Sequence, residues 1–129
     1  MTNHELVAYA KTAAIDFAPS GSCSAGTVGA ALLSSDDQVF TGLCIDLPCG
    51  MGFCAEHAAA AEMLKHRQSR IVKMVAVASD GKLRPPCGRC REFMMQINPE
   101  NRHTEVLLSG KRSVTLESML PHSYLNESD

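Results

Sequence analysis

The chain has no tryptophan and only two tyrosines and four phenylalanines among its 129 residues. So few aromatic rings leave little on which single-stranded bases can stack. A basic surplus is also missing, since twelve lysines and arginines stand against fourteen acids for a formal net charge of −2. Nucleic-acid-binding domains usually carry the opposite bias, so an RNA- or DNA-binding or editing role is not expected. No apolar run approaches membrane length, and the most apolar stretches, such as Val75-Ala76-Val77-Ala78, are strand-sized. The residues Met1-Thr2-Asn3-His4-Glu5 show neither the basic start nor the apolar run of a secretory signal. Internal repeats, low-complexity tracts and linkers are absent as well, which suits a single domain over residues 1–129. The 45% apolar and 20% charged content is that of an ordinary globular protein and excludes wholesale disorder, a collagen-like fibre or a coiled-coil rod.

What the chain does have is cysteine: Cys23, Cys44, Cys49, Cys54, Cys87 and Cys90. A three-disulfide framework would need an oxidising compartment and a core too small to stand alone. The apolar content suffices for a core, so the expected setting is a reduced, cytoplasmic one in which some thiols bind metal or do chemistry.

Thr2-Asn3-His4-Glu5 has the form of a capping box, and Leu6, Ala10, Ala13 or Ala14, and Phe17 follow at helical spacing. The pattern predicts a helix over 4–18, stopped by Pro19-Ser20-Gly21-Ser22. Thr27–Leu33 and Gln38–Leu43 read as an antiparallel hairpin turning at Ser34-Ser35-Asp36-Asp37. A loop follows at Leu47–Gly52, then a helix over Ala55–Gln68, a buried strand over Ile71–Ala78 and a loop over Ser79–Pro86. Next come a helix over Gly88–Ile97 stopped by Asn98-Pro99, a strand over Thr104–Ser109 and a short helix over Thr115–Leu120. Each strand–helix–strand crossover favours parallel neighbours, while the hairpin is antiparallel. One mixed sheet with helices on its faces is the expected α/β result.

Two segments carry the chemistry. Cys54-Ala55-Glu56-His57 and Pro85-Pro86-Cys87-Gly88-Arg89-Cys90-Arg91 both run from a loop into a helix. One helical turn puts the sulfurs of Cys87 and Cys90 on one side, and Cys54 can add a third from the preceding helix. A helix N-terminus favours thiolate, the form that binds zinc. Three protein ligands suit a catalytic zinc, which leaves its fourth position to water, better than a closed structural one. Glu56, two residues from Cys54, can reach that water without ligating the metal and serve as a general base. Two other readings stay open: a Cys87–Cys90 redox pair, and a closed structural zinc site with His57 or Cys49 as fourth ligand.

The Cys-Ala-Glu and Pro-Cys-Gly-x-Cys-Arg pair resembles the cytidine deaminase family, in particular its small, all-cysteine, homotetrameric nucleoside deaminases. Thr27-Val28-Gly29-Ala30-Ala31-Leu32 is similar to the family's first strand, and Phe40-Thr41-Gly42 to the end of its second. Leu120-Pro121-His122-Ser123-Tyr124 is similar to a C-terminal element that reaches a neighbouring subunit's pocket; the likeness spans roughly residues 25–125. The resemblance implies a three-layer α/β/α sandwich around one mixed, about five-stranded sheet. It implies Zn²⁺ on Cys54, Cys87 and Cys90, and hydrolytic deamination of a cytosine nucleoside at ring C4. Glu56 would move the proton from water to N3 and then to the departing amine. The Ala55 N–H would hold ring O2, with Cys44, Asp46 and Tyr124 contributing to substrate binding.

Zinc with three thiolates is a centre of net charge −1, which positive neighbours can offset. Arg91 matches the family's arginine after the last cysteine, whereas His57 stands where many relatives have a second arginine. Gly26 stands where cytidine-binding relatives carry an aromatic that stacks on the base, and Cys44-Ile45-Asp46 replaces their Asn-x-Glu sugar contact. Phe53, beside the first ligand, can approach the base from another side. These departures leave blasticidin S or an N4-modified cytidine as an alternative substrate. A non-catalytic zinc module for assembly or RNA contact is the alternative from another class. Cys23 and Cys49 read as small buried hydrophobes, and Met94-Met95 with Ile97 as core filling.

Overall fold

Helix α1 (Asn3–Ala13) begins at Thr2, whose hydroxyl oxygen accepts the Glu5 backbone N–H at 3.1 Å. The structure, a computed structural model, describes residues 1–125. The capping box is as the sequence predicts, but the helix stops at Ala13 and does not reach residue 18. Its last turn lies so close on the sheet that a β-carbon at Gly29 would sit 2.4 Å from the Ala10 carbonyl oxygen and 2.6 Å from the Ala14 nitrogen. Beyond that contact the chain becomes strand β1 (Phe17–Ser20), antiparallel to β2 (Cys23–Ser34), with Phe17 opposite Ala25 and Ser20 opposite Cys23. Phe17, which helical spacing assigns to the core, is therefore 51% exposed. Pro19 lies in this edge strand, where its missing N–H is tolerated.

Strand β2 pairs with β3 (Val39–Asp46) in the expected hairpin and with β4 (Ile71–Ala78) along its other edge. Beyond β4 lie β6 (Glu105–Leu107) and β7 (Ser113–Thr115), for an order β3-β2-β4-β6-β7. Strand β1 takes the end of β2 that β4 does not reach, and the two-residue β5 (Leu83–Arg84) takes the end of β4 beyond β6. The sheet thus has seven strands in five positions. The β5 strand corrects the expectation of a plain loop over 79–86.

The parallel pair is β4–β6, joined through α3 (Gly88–Ile97). The other crossover, β3 to β4 through α2 (Ala55–Lys65), does not give parallel neighbours, because β2 lies between them and is antiparallel to both. The long β2 is apolar on both faces, which suits a central strand covered by helices on each side, and its two edges are taken by the hairpin and by β4.

Alternate residues of β2 and β4 face opposite layers. On one side Ala31, Leu33, Val75 and Val77 meet Leu6 and Ala10 of α1. On the other, Leu32 and Met74 meet Ala59, Ala60 and Met63 of α2, Met94 of α3 and Leu116 of α4 (Leu116–Met119). This is the α/β/α sandwich that the resemblance implies. No helix among the described residues is long and apolar enough to cross a membrane.

Candidate active site

Cys54 and Cys87 are the N-cap residues of α2 and α3, both in extended backbone. Cys90 is the third residue of α3 and is fully buried. The two helix starts converge below the same end of the sheet. They place the Cys54 and Cys87 sulfurs 3.6 Å apart and those of Cys87 and Cys90 3.3 Å apart. A disulfide would need about 2.05 Å, and all six cysteines are free thiols. Tetrahedral Zn–S bonds of about 2.3 Å put neighbouring sulfurs about 3.8 Å apart, so the triad is close to the spacing of a zinc site.

His57 lies beside this cluster. Its Nδ1 is 3.5 Å from the Cys90 sulfur, and its ring stacks on Phe93 with centroids 4.1 Å apart and planes 14° from parallel. Cys54, His57 and Cys90 each offer a ligand atom within 4.8 Å of the others. Two overlapping sets of three donors therefore share Cys54 and Cys90: one is completed by the Cys87 sulfur and the other by the His57 ring.

Burial, aided by the Glu56 charge, raises the Cys90 thiol pKa, and burial also raises that of Cys54. At Cys87 burial acts upward too, but hydrogen bonds from the Cys90 backbone N–H and the neighbouring thiols outweigh it and lower the pKa. Burial and the Arg89 guanidinium together hold His57 below its ordinary value. Several thiols packed so tightly ionise together only beside a strong positive charge, which a dication provides. The donor set and its spacing fit zinc.

A cavity of about 490 Å³ opens over the cluster, within the size range of small-molecule sites, roughly 300–1,000 Å³. Cys54 and Cys87 line it, while Cys90 and His57 lie behind them. Glu56, 4% exposed, stands in its wall in the first turn of α2, and burial raises the pKa of its carboxyl. Ala55 is fully buried at the first helical position, where the backbone N–H has no partner within the helix.

Cys44 and Asp46 line the same cavity from β3. The Cys44 sulfur is turned onto β2, 3.0 Å from Thr27 Oγ1 and 3.3 Å from the Val28 backbone nitrogen. The Asp46 Oδ2 accepts from Ser24 Oγ at 3.5 Å. Phe53, joined to Ile45 by two backbone hydrogen bonds of 3.0 Å, also faces the cavity.

Gly26 does not line the cavity. Its φ is +85°, and a β-carbon there would lie 2.1 Å from the Ile15 carbonyl oxygen, so the backbone has no room for a side chain. Tyr124 is 84% exposed and outside its own chain's cavity; its backbone N–H donates to Glu92 Oε1 at 2.6 Å. Arg91 is not a partner of the sulfurs. Its Nε donates to the Pro86 carbonyl at 2.8 Å and its Nη1 to that of Met119 at 3.2 Å, tying the cysteine loop to the C-terminal segment.

Thr27, Arg84 and Arg89 line the cavity with no sequence signal that singled them out.

The family model for the cytidine and deoxycytidylate deaminase zinc-binding region matches residues 2–104. A cytidine deaminase of Halalkalibacterium halodurans is 31% identical over 105 residues, 78% of each chain. A cytidine deaminase of Mycobacterium tuberculosis is 30% identical over 99 residues, 75% of this chain and 71% of its own. The crystal structure of a Mycobacterium tuberculosis cytidine deaminase superposes with a TM-score of 0.79 at 27% identity, covering 94% of this chain and 95% of that one. That of Burkholderia pseudomallei gives 0.77 at 28% identity, covering 96% and 100%.

Proposed function

The chain belongs to the family defined by the cytidine and deoxycytidylate deaminase zinc-binding region, and from that membership we propose that it deaminates a free cytosine nucleoside. Cytidine, deoxycytidine or a close analogue would exchange its C4–N bond for a C4–O bond, consuming one water and releasing ammonia. The observation that carries this reading is the buried Glu56 carboxyl in the wall of a nucleoside-sized cavity, two residues from one cysteine of a three-sulfur cluster.

Zinc held by Cys54, Cys87 and Cys90 would supply a polarised water as the nucleophile. Glu56 takes the proton of that water, delivers it to ring N3 and then protonates the departing amine. Its raised pKa brings the carboxyl closer to working pH, where a proton carrier is most effective. The unpartnered Ala55 N–H binds ring O2 and fixes the base over the sulfurs. Phe53 packs against the base from another side than the one where relatives' stacking aromatic would stand and this chain has Gly26. His57, stacked on Phe93 with its Nδ1 3.5 Å from the Cys90 sulfur, would offset part of the thiolate charge in the tautomer that carries the proton on Nδ1.

Asp46 and Cys44 form the sugar end of the cavity. Tyr124, exposed and anchored through its backbone, completes the cavity of a neighbouring copy in a homotetramer. The six free thiols suit a reducing cytoplasm, and the reaction suits pyrimidine salvage. The cysteine at position 44 favours a second reading, a blasticidin S or N4-modified cytidine substrate, because a thiol turned into the sheet offers the sugar less than an amide would.

The test is ammonia release by the zinc-loaded protein from cytidine, deoxycytidine, N4-modified cytidines and blasticidin S. Glu56→Ala should lower kcat by about 10²–10⁴. Turnover of none of the four by correctly metallated protein would refute the enzyme and leave a zinc module for assembly. Turnover that survives Glu56→Ala would refute the proton route.

A further inference from the structure

Between Ala25↔Ile45 and Gly29↔Leu43 the β2–β3 ladder breaks, so that Gly26, Thr27 and Val28 face the single residue Cys44. Such a bulge re-aims side chains. Cys44, 8% exposed, fills it: its sulfur accepts the Val28 N–H at 3.3 Å and shares a hydrogen bond with Thr27 Oγ1 at 3.0 Å. With the sulfur already accepting from Val28, the thiol proton is available to Thr27, which frees the Thr27 O–H to donate elsewhere. In the opposite sense Thr27 donates to sulfur and keeps its lone pairs. Either way the hydroxyl retains bonding capacity, and Thr27 lines the cavity.

Asp46 lies two residues beyond Cys44 on the same face of β3 and lines the same wall. Cys44 also packs in one buried cluster with Ala55, whose N–H faces the base in the reading above. The wall beside the base site therefore offers a hydroxyl, which can donate or accept, next to a carboxylate, which only accepts. That pairing matches the hydroxyls of a sugar.

We propose that Thr27 is a specificity-determining residue whose hydroxyl binds a ring hydroxyl, 2′ or 3′, of the nucleoside's sugar, with Cys44 as the positioning residue behind it. The inference rests on the reading of the cavity as a cytosine-nucleoside site. Val28 and Asp46 flank the pair, and the bulge is what brings Thr27 to the cavity.

The experiment is steady-state kinetics of the zinc-loaded protein with cytidine and with 2′,3′-dideoxycytidine, which keeps the base and lacks both ring hydroxyls. Thr27→Val preserves shape and should raise KM for cytidine about fivefold to tenfold, the loss of one hydrogen bond, with kcat unchanged. KM for the dideoxy compound should not move, and Thr27→Ser should restore the cytidine value. Cys44→Ala should raise the cytidine KM by less. In the double variant it should add nothing to Thr27→Val, because its effect runs through that hydroxyl. An unchanged cytidine KM in Thr27→Val, or an equal rise for both compounds, overturns the contact. Independent, multiplying effects of the two substitutions overturn the positioning role of Cys44. Failure of the wild type to turn over any cytosine nucleoside refutes the deaminase reading and this inference with it.

Discussion

Gly26 offers a direct test of why this chain departs from the aromatic that cytidine-binding relatives are expected to carry there. At φ +85° any L side chain costs about 1–2 kcal/mol from backbone sterics alone. A β-carbon would also meet the Ile15 carbonyl oxygen at 2.1 Å, and a backbone atom cannot swing aside as a side chain can. Relief requires β1 to move off β2 and to give up its pairings at Phe17↔Ala25 and Ser20↔Cys23. With about 1 kcal/mol per hydrogen bond, Gly26→Ala should lose about 2–4 kcal/mol in all. For a domain of this size that lowers Tm by roughly 7–15 °C. Gly21→Ala is the control: no atom lies within 4 Å of its β-carbon position, so its change should stay within about 0.5 kcal/mol. Both are measured by calorimetry on zinc-loaded protein. A Gly26→Ala melt within about 2 °C of the wild type would refute the steric argument. A Gly26→Phe variant with improved KM for cytidine would refute it independently.

Zinc should bind at one ion per chain. At a thousandfold excess over Kd it should contribute about 4 kcal/mol to stability, visible as a Tm that falls on chelation and returns on reloading. Stoichiometry retained in Cys87→Ala would count against the triad. Glu92 accepts from the Tyr124 N–H, Gln96 and Ser123, which hold its carboxyl below the ordinary Glu value. A depressed folded pKa means that the anchoring is present above the unfolded pKa and is lost as pH falls through the folded one. Amide exchange of residues 120–125 should therefore speed up beyond its intrinsic pH trend below about pH 4. A Glu92→Gln protein that still shows this step would exclude Glu92 as its source. Asn101 is fully buried and bonds the Ile71 N–H and the Ser69 and Met94 carbonyls. Asn101→Ala strands all three groups and should cost about 2–4 kcal/mol in urea unfolding. A loss below about 1 kcal/mol would show that they find other partners.

The elements with strong local signals are where the sequence places them. Strand β4 over Ile71–Ala78 and helix α3 over Gly88–Ile97 have the boundaries expected from apolar run, glycine start and Asn98-Pro99 stop. Both cysteine segments run from loop to helix as their composition suggests, because a helix start is a local event. Residues 14–20 do not follow their local pattern. The helical spacing that includes Phe17 continues past Ala13, but contact of α1 with Gly29 and pairing with β2 make a strand instead. Arg91 stands beside Cys90 in sequence and yet bonds two carbonyls, since the fold presents Pro86 and Met119 to it. Thr27 was invisible as a site residue for a related reason: only the pairing of β2 with β3 reveals the bulge that aims it.

The sequence by itself determined the chemistry available to this protein. Thiols at two helix starts, a carboxylate beside one of them and a thiol at position 44 are properties of local residue order. The tertiary structure decided which of these groups meet. Crossovers through a shared sheet bring Cys54 within 3.6 Å of Cys87, a sequence separation of 33, and the Ile15 backbone between α1 and β1 leaves Gly26 no room for a ring. Proximity across long loops depends on strand order and packing, and neither is encoded in any single stretch of the chain.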